Sequence, residues 1–235
     1  MSENQLNGTP QTGTRPASAT PAPTTPPVNG APPAGGKKRR RSYDVERIRN
    51  IVSTLAIIII APLVALALTA FVFQSYQVDG PSMETTLMNN DRLIVYKLPK
   101  TIADITGHPY IPHRGDIIVF SKRGLDAANP NQSKQLIKRV IGLPGDHLVI
   151  ANGMVMIYNK KHPKGFDPDK TMSYGKYLPA TTGNENIVIP KNEVFVMGDN
   201  RTDSYDSRDF GPIKVQNIIG KLVLRILPIN KAQVF

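Results

Sequence analysis

An apolar run of 23 residues, from Ile51 to Phe73, contains no charged side chain. As an α-helix it would be about 34 Å long at roughly 1.5 Å per residue, and the hydrocarbon core of a bilayer is about 30 Å thick. Pro62 lies inside the run, but membrane helices tolerate proline. The sequence therefore predicts one transmembrane helix over residues 51–73, and the rest of the chain must fold on one side of it or the other.

Basic residues are concentrated on one side of this run. Seven Lys and Arg residues lie just upstream, in 37–41 and at Arg47 and Arg49, whereas Arg92 is the only one within 20 residues downstream. The positive-inside rule then predicts a cytoplasmic N-terminus and an extracytoplasmic domain after Phe73. The basic cluster could instead bind nucleic acid. Its position beside an apolar run favours membrane orientation, so no nucleic-acid partner is expected.

A cleaved export signal is the alternative to a retained anchor, and Ala65-Leu66-Ala67 offers the small residues that such a signal needs. The apolar core of a signal is typically about 7 to 15 residues long, which is shorter than this run. We therefore expect a retained single-pass anchor in the plasma membrane, with the lipid bilayer as a partner.

The first 36 residues contain eight prolines, six threonines, five glycines and five alanines. Such a segment cannot bury enough apolar surface to offset the entropy lost on ordering. We expect residues 1–50 to form a disordered, basic cytoplasmic tail. The chain has no cysteine, which excludes thiol catalysis, disulfides and Cys-ligated metal sites.

After the anchor the sequence has short β-branched runs separated by turn residues, a pattern typical of antiparallel strands. The predicted strands are 92–96, 116–120, 136–141, 147–150, 154–158, 187–189, 193–197 and 218–226. Asn152-Gly153 predicts a two-residue hairpin turn. Residues 98–114 and 159–186 lack periodicity and are predicted to leave the sheet, the second as a loop excursion. The expected fold of residues 74–235 is an all-β, mainly antiparallel domain, joined to the anchor by a connector over residues 74–79.

Two positions have the chemistry of nucleophilic catalysis. Ser82 lies in a Gly-Pro turn just beyond the apolar run, where a serine is most often a turn residue. Lys138 lies on the predicted strand Leu136–Ile141, where alternation gives each face one cation among aliphatic side chains. Lysines in such places usually extend to water. If burial lowers the pKa of Lys138 by about three units instead, its neutral amine can take the proton of the serine hydroxyl.

The polar segment 198–208 offers an Asp206–Arg208 pair that could hold a site rigid and a Ser204 hydroxyl that could orient an amine; a solvated loop is the alternative. It is not an EF-hand calcium loop, because Ser204 and Phe210 replace the glycine and glutamate that such a loop requires. The four histidines show no metal-ligand spacing, and the nucleophile candidate is not in a Gly-x-Ser-x-Gly elbow, which disfavours a Ser-His-Asp triad. No metal and no cofactor are expected.

With these residues the chain resembles the bacterial type I signal peptidases, membrane-anchored serine proteases that remove signal peptides from exported proteins. One block of the resemblance is weak evidence, whereas several in order behind an outward-pointing anchor are specific. The four blocks are Gly80-Pro81-Ser82-Met83 with Thr86-Leu87, Arg114–Phe120, Lys138–Asp146, and Gly198–Arg201 with Ser204, Asp206, Ser207 and Arg208.

The resemblance implies that Ser82 is the nucleophile and Lys138 the general base of a Ser/Lys dyad. The backbone N–H of Ser82 would hold the oxyanion. Some family members carry, at the position of Gly80, a serine whose hydroxyl helps to bind the oxyanion; that donor is missing here, and the Gly80 region is the candidate for a second donor. Thr85 also departs from the family, which usually has proline there. The implied substrates are preproteins with small side chains at the first and third positions before the cut, and the apolar surface near Ser82 would rest on lipid.

The resemblance also implies roles for other residues of the same blocks. Met83 would pack beside the nucleophile. Ser204 would orient the general base, and Asp206 with Arg208 would support it, with Asp199 in the same block. Two other functions remain open: a Ser-Lys self-cleaving regulator of related fold, which the anchor and the lack of a helix-turn-helix pattern disfavour, and a non-catalytic, membrane-anchored β domain that binds a partner.

Overall fold

The structure, a computed structural model, describes residues 38–125 and 128–235, with side chains from Val45 onward. The disordered tail was predicted for residues 1–50, of which residues 1–37 lie outside this range. Residues 38–50 are helical, which differs from the disorder predicted for them. Contacts between residues divide the chain into one unit that ends at Val52 and a second from Ser53 to Phe235. The described part of the first unit is helical.

One long helix, α1 (Lys38–Ala67), continues as a π-helical turn over Leu68–Val72. Within the 28 residues from Val45 to Val72, the most apolar stretch of 18 residues has a mean hydropathy of 2.8, and none of that stretch is buried against the protein. A helix that is apolar all round requires apolar surroundings. α1 is long and apolar enough to cross a membrane, and the helix ends one residue before the predicted boundary because Phe73 begins a strand.

The strands of the second unit pair antiparallel throughout the described residues. Their bounds are β1 Phe73–Gln77, β2 Arg92–Tyr96, β3 Ile117–Arg123, β4 Ser133–Gly142, β5 His147–Ala151, β6 Met154–Tyr158, β7 Glu185–Val188, β8 Glu193–Met197, β9 Ile213–Lys214, β10 Ile218–Leu227 and β11 Gln233–Val234. An eight-stranded sheet has the order β1-β2-β10-β3-β4-β8-β9, with β11 on β10, and a three-stranded sheet has the order β6-β5-β7. The predicted all-β, mainly antiparallel fold is confirmed.

Short helices interrupt this β fold. They are α2 (Leu98–Thr106), α3 (Pro168–Thr171) and α4 (Ser207–Phe210), with 3₁₀ turns at Ser173–Tyr177, Val215–Asn217 and Ile229–Lys231. α2 lies in the predicted excursion 98–114. α3 and the first 3₁₀ turn lie in the excursion 159–186, so that segment is partly helical rather than a plain loop.

Three apolar clusters form the core. One joins β3, β4 and β8 to β9 and β10, and a second packs the three-stranded sheet against β4 and β8. The third lies beneath the turn that follows β1 and contains Val78, Met83, Leu87, Leu93, Ile117 and Leu222, all of them buried. β4 contributes to all three clusters, so the strand that carries Lys138 is fixed from both faces.

Most predicted strands agree with the structure. β2, β6 and β8 have the predicted bounds, and the Asn152-Gly153 hairpin is confirmed, with φ of 52° and 79° at its two residues as a type I′ turn requires. The predicted connector 74–79 differs from the structure, because its first four residues belong to β1 and pair with β2. β1 therefore ties the end of the apolar helix directly into the large sheet.

Candidate active site

Ser82 lies in a turn that two buried side chains hold in place. Gly80 opens this turn with a φ of 97°, a left-handed conformation that favours glycine. Leu87 N–H donates to Met83 O at 2.9 Å to close it. Met83 and Leu87 are fully buried in the third cluster, whereas Ser82 is only half-buried. The anchored turn therefore presents the serine hydroxyl at a fixed position on the surface of the domain.

Lys138 reaches this serine from β4. Its Nζ donates to Ser82 Oγ at 2.7 Å and to Ile137 O at 3.1 Å. Only 3% of the lysine is exposed. Burial lowers the pKa of Lys138 from 10.5 to about 8, although the carboxylates of Asp206 and Asp199 raise it in opposition. The two residues that the sequence proposed as a dyad are thus in hydrogen-bond contact, with a lysine that loses its proton far more easily than one in water.

The segment after β8 clamps the serine turn from the other side. Asn200 N–H donates to Ser82 O at 3.1 Å, and Asn200 Nδ2 donates to Pro81 O at 3.3 Å. Gly198 lies so close that an added Cβ would be 2.3 Å from Ser82 O. Only glycine allows this approach, so the turn and the segment form one packed unit.

Asp206 and Arg208 form a buried pair that shapes this segment. Asp206 is fully buried, accepts from Gly198 N–H at 2.9 Å, and binds Arg208 Nε and Nη2 at 2.9 and 2.8 Å. It also caps α4 in a capping box. Arg208 Nη1 donates to Arg201 O at 2.6 Å and to Thr182 Oγ1 at 2.8 Å. The pair connects the backbone beside Ser82 to the excursion 159–186.

Ser204 does not make the predicted contact in the structure. Its Oγ is buried and has no hydrogen-bond partner among the described residues. It lies next to Gly198, so close that a Cβ added to Gly198 would be 2.2 Å from Ser204 Oγ. Buried hydroxyls almost always have a partner. The Ser204 hydroxyl, which lies beside Gly198 behind the serine turn, is therefore able to form a hydrogen bond that it does not form here.

A second buried ion pair was not anticipated from the sequence. Arg139 Nε and Nη2 donate to Asp199 Oδ1 and Oδ2 at 2.8 and 2.6 Å, with both side chains buried. Arg139 also donates to Gly115 O at 2.8 Å and stacks over the Tyr174 ring at 4.3 Å. Since Arg139 follows Lys138 on β4, this forked ion pair, the Arg139–Asp199 fork, fixes the strand next to Lys138.

A small cavity of about 120 Å³ adjoins Ser82 and Lys138. Aliphatic side chains from β2, β3, β4 and the segment after β1 form much of its wall: Val78, Leu93, Val119, Leu136 and Ile137. Among the residues that the structure describes, no cluster of three acidic or histidine side chains could hold a metal ion. The cavity has room for a small apolar group beside the Ser82 hydroxyl.

A serine hydroxyl in contact with a buried lysine is the arrangement of serine hydrolases that use lysine as the base. Comparison with known proteins defines the family. The family model described as signal peptidase, peptidase S26 matches residues 51–227. Signal peptidase I of Leptolyngbya laminosa is 35% identical over 218 residues, which cover 91% of this chain and 93% of that protein.

Two further proteins are similar to this chain. Signal peptidase I of Bacillus caldolyticus is 35% identical over 177 residues, covering 73% of this chain and 89% of that protein. A crystal structure of a signal peptidase I from Enterococcus faecalis is 27% identical and covers 48% of this chain and 97% of that one, with a TM-score of 0.34. The chain belongs to the signal peptidase I family, and the resemblance seen in the sequence is confirmed.

Proposed function

We propose that this protein is a serine endopeptidase that removes N-terminal signal peptides from exported preproteins at the outer face of the membrane. The observation that carries the proposal is the 2.7 Å contact between Lys138 Nζ and Ser82 Oγ, in which the lysine is buried. The names of the relatives support the substrate class, since they are signal peptidases I.

In the proposed mechanism the neutral Lys138 amine takes the proton of Ser82 while Oγ attacks the scissile carbonyl carbon. With a pKa of about 8, roughly a tenth of the lysine is neutral at pH 7. The resulting ammonium protonates the leaving amine, and the same amine then activates a water molecule that hydrolyses the acyl-enzyme ester. Lys138 thus acts first as base, then as acid, and again as base.

The backbone N–H of Ser82 is the proposed oxyanion donor. Among the described residues it donates no hydrogen bond within the protein, so it is free to bind a developing negative charge. The N–H of Gly80 is engaged with Asn89 Oδ1 at 3.2 Å, so a second donor from that residue would require this bond to open.

The remaining site residues are proposed to position the dyad. Met83 fixes the serine turn from below. Asp206 and Arg208 hold the backbone of Gly198, which packs on Ser82 O, and Asp199 fixes Arg139 next to the base. Ser204 is proposed to orient Lys138 once substrate tightens the site, since its buried hydroxyl has hydrogen-bonding capacity to spare.

The cavity of about 120 Å³ beside Ser82 is the proposed subsite for a small side chain before the cut. Its aliphatic wall suits alanine, and its size excludes large side chains. This agrees with the small residues that the family resemblance implies at the first and third positions before the cut.

The N-terminus is proposed to lie in the cytoplasm and the β domain outside. Seven Lys and Arg residues at positions 37–49 precede the apolar run that begins at Ile51, and the segment after the run has far fewer, which supports this orientation. β1 begins at Phe73, directly after the helical segment, so the domain is held close to the point where the chain leaves the membrane.

The test is cleavage of a labelled preprotein by the full chain in right-side-out vesicles. We expect a cut at the signal junction of externally added preprotein, and loss of cleavage when the alanine before the cut is replaced by a bulky residue. Digestion of the vesicle exterior with a protease should remove the activity. Cleavage that ignores the substrate change, or no cleavage even after detergent opens the vesicles, contradicts the proposed activity. Cleavage that appears only after detergent, and that survives external digestion, contradicts only the orientation.

The pH dependence of cleavage follows from the pKa of Lys138. Because the active base is the neutral amine, activity should rise with pH, by about tenfold per unit below the pKa of about 8, and level off above it. The measurement is kcat/KM between pH 5.5 and 9.5 with a peptide that lacks ionisable side chains. A profile that stays flat across this range would show that no group of this pKa controls the reaction.

A further inference from the structure

Helix α2 is attached to the end of the apolar helical segment. The last carbonyls of a helix lack intrahelical partners. Lys97, the N-cap of α2, donates its backbone N–H to Val72 O at 2.7 Å and its Nζ to Ala70 O at 2.8 Å. Thr101 Oγ1 donates to Phe71 O at 3.0 Å. The first turn of α2 is therefore fixed at the point where the proposed membrane span ends.

α2 has one apolar face and one charged face. Ile102 and Ile105 are 50% and 79% exposed, which is unusual for two isoleucines one turn apart. Lys100 and Asp104 form an ion pair on the opposite side of the helix. Such a division of side chains is typical of helices that lie at a membrane surface.

The apolar face lies on the side of α2 that adjoins the span. Thr101 and Ile105 are four residues apart and therefore share one side of the helix. Thr101 is the residue that binds Phe71 O, so Ile105 lies on the same side as the end of the span. The rings of Phe73 and Tyr96 stack nearby at 5.5 Å, and aromatic rings are enriched at this level of a membrane.

We propose that α2 is an interfacial helix whose Ile102–Ile105 face lies in the lipid of the leaflet where the span ends. Lipid is the partner that covers this face, because the hydrogen bonds from α2 to residues 70–72 place the face at the boundary of the bilayer. The inference rests on the proposed span, and it goes beyond the proposed function. A second lipid contact stops the β domain from rotating about the span, and thereby fixes the direction in which Ser82 faces.

The test uses the absence of tryptophan from the chain. Three full-length variants each carry a single tryptophan: Ile105→Trp on α2, Val188→Trp on β7, which is 63% exposed far from α2 in sequence, and Leu63→Trp in the span. Each is reconstituted in vesicles with brominated acyl chains. Ile105→Trp is expected to lose roughly half its fluorescence to bromines near the headgroups, since interfacial helices bury their apolar face by roughly 5–10 Å.

Each result decides the proposal. Strong quenching of Ile105→Trp and Leu63→Trp, with none of Val188→Trp, supports it. Quenching of Leu63→Trp alone overturns it while leaving the span intact, and shielding of Ile105→Trp from aqueous acrylamide would then indicate a protein partner instead of lipid. If Leu63→Trp is not quenched, the span fails and the proposal fails with it. Preprotein cleavage by the same three variants reports separately on the proposed function.

Discussion

Replacing Lys138 by methionine is expected to lower kcat/KM for preprotein cleavage by at least about 10³-fold. Methionine is close to lysine in length and suits a site that is 97% shielded from solvent, so the fold should survive the change. What is lost is the amine 2.7 Å from Ser82 Oγ, and with it the acceptor for the serine proton. The assay is initial-rate cleavage in detergent–lipid micelles at pH 8.

The matched control is Lys134→Met, which removes an exposed lysine from the same strand and should leave the rate unchanged. Ser82→Ala should be as inactive as Lys138→Met, and the double variant no worse than either, because residues that act as one unit do not contribute additively. Circular dichroism and melting temperature check the fold of each variant. A Lys138→Met protein that folds normally and still cleaves at the wild-type rate would leave the non-catalytic binding domain as the better interpretation.

Local sequence patterns predicted most of the sheet, because strands depend on short-range alternation and turn residues. They missed β1 because Phe73 was assigned to the span and the polar residues that follow suggested a connector. They missed α2 because its nine residues, which include Pro99 and end before Gly107, carry too little periodicity to stand out. β9 and β11 have two residues each and exist only through their partners β8 and β10.

The site was predicted less completely than the fold. Nothing in the strand around Lys138 determines whether its amine is buried or solvated. The pairing with Ser82, 56 residues away, was therefore proposed from the chemistry of the two side chains, with no local pattern to place them together. The fork between Arg139 and Asp199 joins residues 60 apart and leaves no local pattern. The sequence did contain one signal for such a partner: Lys138 and Arg139 place one cation on each face of a buried strand, and a buried cation needs a partner.

Replacing Asp199 by asparagine is expected to lower the free energy of unfolding by about 3–5 kcal/mol, because it leaves the buried Arg139 charge without its carboxylate. Both side chains are almost fully buried, and the two charged hydrogen bonds are 2.8 and 2.6 Å long. The change should also move the pH profile of cleavage to lower pH, since Asp199 raises the pKa of Lys138. Denaturant unfolding and the pH dependence of kcat/KM measure the two effects.

Two further variants test whether the stability effect is specific to the buried Arg139–Asp199 pair. Lys221→Met breaks the more exposed pair with Asp116 and should cost less than about 1 kcal/mol. Arg139→Met combined with Asp199→Leu removes both buried charges and should recover most of the stability lost in Asp199→Asn, because no charge is left unpaired. A fully stable Asp199→Asn protein would mean that water or another group compensates Arg139. If the double variant is stable but slow, the fork serves to align Lys138 with Ser82 rather than to hold the fold together.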